Sequence, residues 1–192
     1  MVLNVYKGIY GVPAKCGSRF FSKTISYWGK PDCRSFREFY LREFNLKYII
    51  IRNPFEHLKS ALHTEIMECF DDTDRIYNIL TLYTEQFNGG SHFYYKFCEK
   101  VYEVWYKTNY KLKVVDLSNL SEFMETIFEH IPYNESEYDF NWNPHYVSKE
   151  DVWNRCISLY PDLMDKLIQY TTNDTKYYNA LMNDDRSFTK FI

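Results

Sequence analysis

The run Lys47-Tyr48-Ile49-Ile50-Ile51 places apolar side chains on consecutive positions, so both faces of the strand it predicts must be buried. Asn53-Pro54 follows at once, an N-cap residue and a proline suited to the first helical position. Phe55, Leu58, Leu62 and Ile66 then recur at helical spacing. A strand covered on both faces and leading straight into an amphipathic helix is the unit from which layered α/β sheets are built. This junction constrains the fold more than any other stretch.

The rest of the chain repeats the alternation. Leu3 to Val12 mixes β-branched and aromatic residues and reads as one strand ending at Gly11-Val12-Pro13. Phe21, Ile25 and Trp28 mark a helix closed by Gly29 and Pro31, and a short helix also fits 36–44. Helices are predicted over 73–87 and 93–107, a strand over Leu112 to Leu117, and a helix from Ser118 to Phe128. Ser148-Lys149-Glu150-Asp151 opens another helix with a capping-box-like pattern, Pro161 interrupts it, and a further helix runs to about Tyr170. The expected fold class is α/β: a three-layer sandwich whose central, mostly parallel sheet is flanked by helices joined through right-handed crossovers. A single domain over 1–192 is expected, helical from about 148.

Composition narrows the function classes. At 45% apolar and 26% charged, without low-complexity tracts, the chain has the makings of a packed core. Its formal charge is −3 and its pI about 6.0, with no basic stripe, so no nucleic-acid partner is expected. An anionic ligand would be met by a few placed cations. No segment resembles a signal peptide and no apolar run approaches the roughly 18 residues of a membrane span, so a cytoplasmic protein without a membrane partner is expected. The five cysteines lack CxxC spacing, which argues for reduced thiols and against zinc; no metal is expected. Alanine occurs three times while Asn, Tyr, Ile and Lys abound, a bias that fits an AT-rich viral or phage genome.

Two polar constellations interrupt this scaffold. In Gly11-Val12-Pro13-Ala14-Lys15-Cys16-Gly17-Ser18-Arg19 a strand, a short loop with Lys and Gly, and a helix follow one another. That layout suits a phosphate, because the helix start offers free N–H groups and glycine allows close approach. It lacks the Gly-Lys-Ser/Thr order of a nucleotide-triphosphatase loop. The same residues also fit an ordinary strand-to-helix turn with solvated cations. The second constellation is Arg52 at the carboxyl end of the buried strand with Ser60 in the following helix, a guanidinium and a hydroxyl on the rim where open α/β sheets hold ligands. Arg52 in a purely structural pairing is the alternative.

Taken together, Pro13-Ala14-Lys15-Cys16-Gly17-Ser18 and Arg52-Asn53-Pro54 with Ser60 resemble the sulfotransferases that use 3′-phosphoadenosine 5′-phosphosulfate. Asn53 stands where that family has Asp, and Ala14 is inserted between proline and lysine. His92-Phe93 after Gly89-Gly90, and Val114-Val115-Asp116-Leu117, are similar to stretches of carbohydrate sulfotransferases and their small bacterial and viral relatives. The resemblance covers roughly residues 3–130. It implies a P-loop-like fold and a donor bound through Lys15, Cys16, Gly17, Ser18 and Arg19 at the 5′-phosphosulfate, with Arg52 and Ser60 at the 3′-phosphate.

Sulfuryl transfer builds charge on the bridging and peripheral oxygens, so cations and N–H donors should dominate catalysis. Lys15 is the residue expected to stabilise the leaving phosphate. A hydroxyl or amine acceptor, carbohydrate or another small molecule, also gains from a general base. His92 is the first candidate, ahead of His63 and then Glu65 and Glu68. The aromatic segment Tyr138 to Tyr146 could stack on a sugar or adenine, or simply cover the core. A non-catalytic nucleotide-binding or scaffold protein of the same fold is the main rival reading, and a small-molecule kinase a weaker one.

Overall fold

The computed structural model of the chain describes residues 2–5, 8–11, 48–85, 96–107, 109–120, 122–123 and 147–188. These residues form a mixed α/β, mostly helical molecule. Its four strands are β1 (Val2–Val5), β2 (Gly8–Gly11), β3 (Tyr48–Ile51) and β4 (Lys113–Asp116). They make one sheet in the order β1-β2-β3-β4, with β1–β2 antiparallel and both β2–β3 and β3–β4 parallel. The single N-terminal strand predicted from Leu3 to Val12 is therefore a pair of strands. Val2 registers with Gly11 and Val5 with Gly8, so the run of strand-forming residues folds back on itself between Val5 and Gly8. Strand propensity marks extended backbone but carries no signal for a reversal this short.

Strand β3 behaves as its composition dictates. Ile49, Ile50 and Ile51 are all fully buried although successive side chains point to opposite faces. Ile49 and Ile51 pack with Phe97, Val101, Tyr102 and Trp105 of a helix and with Ala180 and Leu181 near the chain's end.

Among the described residues five α-helices follow: α1 (Pro54–Ile66), α2 (Thr73–Glu85), α3 (Phe97–Lys107), α4 (Lys149–Leu159) and α5 (Pro161–Met182). The Asn53 side chain accepts hydrogen bonds from the N–H groups of Phe55 (3.0 Å) and Glu56 (3.4 Å), and Pro54 opens α1 as expected. Asp72 caps α2 through the Arg75 N–H at 3.0 Å. Ser148 and Asp151 cap α4 reciprocally, the box that the sequence pattern predicted. Leu58, Leu62 and Ile66 of α1 meet Ile76, Leu80 and Tyr83 of α2, Val152 and Cys156 of α4, and Met164 and Leu167 of α5 in a second apolar core.

Helix α5 ends at Met182, well beyond the expected stop near Tyr170. Thr171-Thr172-Asn173-Asp174-Thr175 are poor helix formers, which is why the helix is expected to stop before them. Here the hydroxyls turn back on their own helix, Thr171 to the Leu167 carbonyl at 3.0 Å and Thr175 to that of Thr171 at 2.7 Å. Tertiary packing of Ala180 and Leu181 against the sheet then outweighs weak local propensity. The segment after β4 is helical where it is described, within the range expected over 118–128. It begins as a 3₁₀ turn, Leu117–Asn119, with helical residues at 120 and 122–123; the remainder lies outside the described residues. The helix expected after Gly17, the short one over 36–44, and the aromatic segment from Tyr138 to Tyr146 lie there too.

Candidate functional site

Because β2, β3 and β4 run parallel, their carboxyl ends share one edge of the sheet. Gly11, where β2 ends, registers with Ile49, and β3 continues through Ile51 to Arg52. Ile51 in turn registers with Asp116, the last residue of β4. The chain thus leaves three neighbouring strands on one rim, and the backbone turns there into α1 and into the Leu117–Asn119 turn.

Arg52 stands on that rim with its side chain 16% exposed, its guanidinium 3.5 Å from the more open Glu56 carboxylate one helical turn away. Ser60 is half-buried in the second turn of α1, about 9 Å along the helix axis from Pro54 at 1.5 Å per residue. Its carbonyl accepts the Thr64 hydroxyl at 3.0 Å. Lys59, beside it, is tied to Glu150 at 3.1 Å and lies over the Trp153 ring, joining α1 to α4. Lys15, Cys16, Gly17, Ser18, Arg19 and His92 lie outside the described residues.

The described histidines both serve packing. The His63 ring Nε2 is 2.8 Å from the Val147 carbonyl, so this nitrogen carries the proton and donates it. His57 is buried, with its ring edge-on to Phe97 at 6.1 Å between centroids. Glu65 and Glu68 fall at the far end of α1 and in the turn beyond it, away from the rim.

On the same rim Asp116 is nearly buried and its carboxylate is shared three ways. One oxygen accepts from the Ser118 N–H at 2.7 Å and from the Ser118 hydroxyl. The other accepts from the Tyr178 hydroxyl, on α5, at 2.7 Å. Burial, and then the hydrogen bond to Asp116, hold the Tyr178 phenol well above the ordinary tyrosine range. Tyr178 lies 62 residues from Asp116, so no local pattern could have paired them.

A second buried carboxylate, Asp174, faces the N-terminal end of α3. Its oxygens accept from the backbone N–H groups of Cys98 at 3.0 Å and Glu99 at 2.9 Å, capping that helix from a different element. Burial pushes its pKa up to about 6, against the lowering effect of those two N–H bonds. Cys69, Cys98 and Cys156 are buried. Burial raises the pKa of Cys69, and that of Cys156 to about 12, so both stay protonated and unreactive. Among the described residues no helix is long and apolar enough to cross a membrane.

Set against protein-family models, curated proteins and solved structures, the chain matches none of them.

Proposed function

We propose that the protein is a sulfotransferase that moves a sulfonyl group from 3′-phosphoadenosine 5′-phosphosulfate to a hydroxyl or amine acceptor, carbohydrate among the candidates, on a P-loop-like three-layer fold. The observation that supports this reading is the parallel register of β2 with β3, because it brings Gly11, four residues before Lys15 in the sequence, to the same sheet edge that carries Arg52. Two anion sites opening from one edge suit a ligand with two separated phosphate groups better than a single oxyanion. In this reading Arg52 and Ser60 hold the 3′-phosphate, and the loop holds the 5′-phosphosulfate. Lys15 stabilises the charge that grows on the leaving phosphate as the sulfur–oxygen bond breaks. His92 takes the acceptor's proton, a role that neither His57 nor His63 is free to fill given their packing.

The engagement of both described histidines also favours a second reading, a nucleotide-binding protein of the same fold without transferase activity. The product nucleotide, 3′-phosphoadenosine 5′-phosphate, separates the possibilities. Binding to the native state alone should stabilise the protein by about 2.7 kcal/mol at a hundredfold excess over Kd, read as a rise in Tm. Absence of any rise at millimolar nucleotide rejects both readings. A rise without sulfate transfer to a broad acceptor panel selects the second.

A further inference from the structure

Beyond the C-terminal end of α1, a groove of about 550 Å³ opens between the turn carrying Phe70 and one face of α4. Phe70 and Val147 form its apolar wall, and Asp151, Asn154, Arg155 and Ser158 its polar one. Those four polar residues fall at i, i+3, i+4 and i+7, so they share one face of α4. The His63 ring fixes the wall by donating to the Val147 carbonyl.

Arg155 is the unusual member. Its guanidinium carbon lies 5.6 Å from the centroid of the Phe70 ring, and its Nε is buried without a hydrogen-bond partner. None of the ion pairs among the described residues includes it. A partly buried cation normally finds an acid, because leaving charged donors unsatisfied costs more than an ordinary hydrogen bond returns. The acid on the groove, Asp151, spends one carboxylate oxygen on Ser148, accepting from its hydroxyl at 2.6 Å and its N–H at 3.3 Å. A guanidinium laid on an aromatic face is weakly hydrated and already ordered, so an oxyanion that meets it gains a fork of N–H donors at small entropic cost.

We propose that this groove is a binding site for a small, singly charged oxyanion, a carboxylate or a sulfate monoester, attached to an apolar body. Arg155 holds the oxyanion, Asn154 and Ser158 supply further hydrogen bonds, and the apolar body lies on Phe70 and Val147. The negative charge of Asp151 in the same wall selects against a dianionic phosphate. The site stands apart from the sheet rim, since Arg52 precedes α1 and Phe70 follows it, and it does not depend on the sulfotransferase reading.

The test is a nitrogen-15 NMR titration of the full chain with benzoate, phenyl sulfate, phenyl phosphate and benzyl alcohol. Saturable shifts at the Arg155 side-chain N–H and at the Val147, Asn154 and Ser158 amides are expected with benzoate or phenyl sulfate. Either response upholds the site and names which oxyanion it takes. R155Q, with its fold checked by circular dichroism, should bind roughly tenfold more weakly through loss of a charged hydrogen bond. R155K, which keeps the charge but not the fork, should fall between. Failure of both probes to saturate, equal binding of benzyl alcohol, tighter binding of phenyl phosphate, or undiminished binding by R155Q would each overturn the proposal.

Discussion

Around α1, α2, α4 and α5 the buried side chains include Leu58, Leu62, Ile66, Leu80, Met164 and Leu167, and two buried hydroxyls turn back on their own helix, Thr84 to the Leu80 carbonyl and Thr171 to that of Leu167. At the carboxyl edge of the sheet the polar groups instead reach between elements. Tyr178 of α5 bonds Asp116 of β4, while Arg52 stands at the end of β3 beside Glu56. Among the described residues, apolar packing dominates the helical core, whereas directional polar contacts mark the rim. Stability should therefore concentrate in the first region and ligand recognition in the second.

Substitutions that cut this contrast differ in size. Leu80→Ala removes a fully buried side chain from the helical core and should cost about 2–5 kcal/mol in a denaturant titration. On the proposed reading, the folded fraction should bind 3′-phosphoadenosine 5′-phosphate as wild type does. Asp174→Ala strips a cap shared between α5 and α3 and should cost about 1–2 kcal/mol at neutral pH.

The Asp174 effect also has a pH signature. A carboxyl whose pKa is raised on folding adds stability that is fully present below its unfolded value, near 3.8, and is lost as pH rises through about 6. The gap between wild type and Asp174→Ala should therefore widen as pH falls from 7 toward 4, and a gap that narrows would contradict the burial argument. Tyr178→Phe removes one hydrogen bond to a carboxylate at a half-buried position and should cost about 1 kcal/mol by chemical denaturation. Arg52→Ala gives up a pair whose acid is largely exposed, and its effect on stability should stay below about 1 kcal/mol.

Legibility from sequence follows the same division. Features set by neighbours in the chain could be read directly: the buried strand β3, the Asn53-Pro54 start of α1, and the Ser148–Asp151 box of α4. Features set by distant contacts could not. The length of α5 depends on Ala180 and Leu181 meeting β3, not on the intervening threonines. Asp116 is legible only within the Val114-Val115-Asp116-Leu117 stretch and not as a hydrogen-bond acceptor, because its partner Tyr178 arrives from a distant helix. Asp174 sits among weak helix formers, and its role as the cap of α3 depends on a contact 76 residues away. At the candidate site, Arg52 was legible because strand, cap and proline together fix where the chain turns.

The division of labour meets its most direct test in a calorimetric titration of wild type and Arg52→Ala with 3′-phosphoadenosine 5′-phosphate and with adenosine 5′-phosphate. Wild type should prefer the nucleotide bearing the 3′-phosphate by about tenfold or more, the worth of one charged hydrogen bond, and Arg52→Ala should lose that preference while melting nearly as wild type does. Equal affinity of wild type for the two nucleotides, or a preference that survives in Arg52→Ala, would contradict the assignment of the rim as the donor site.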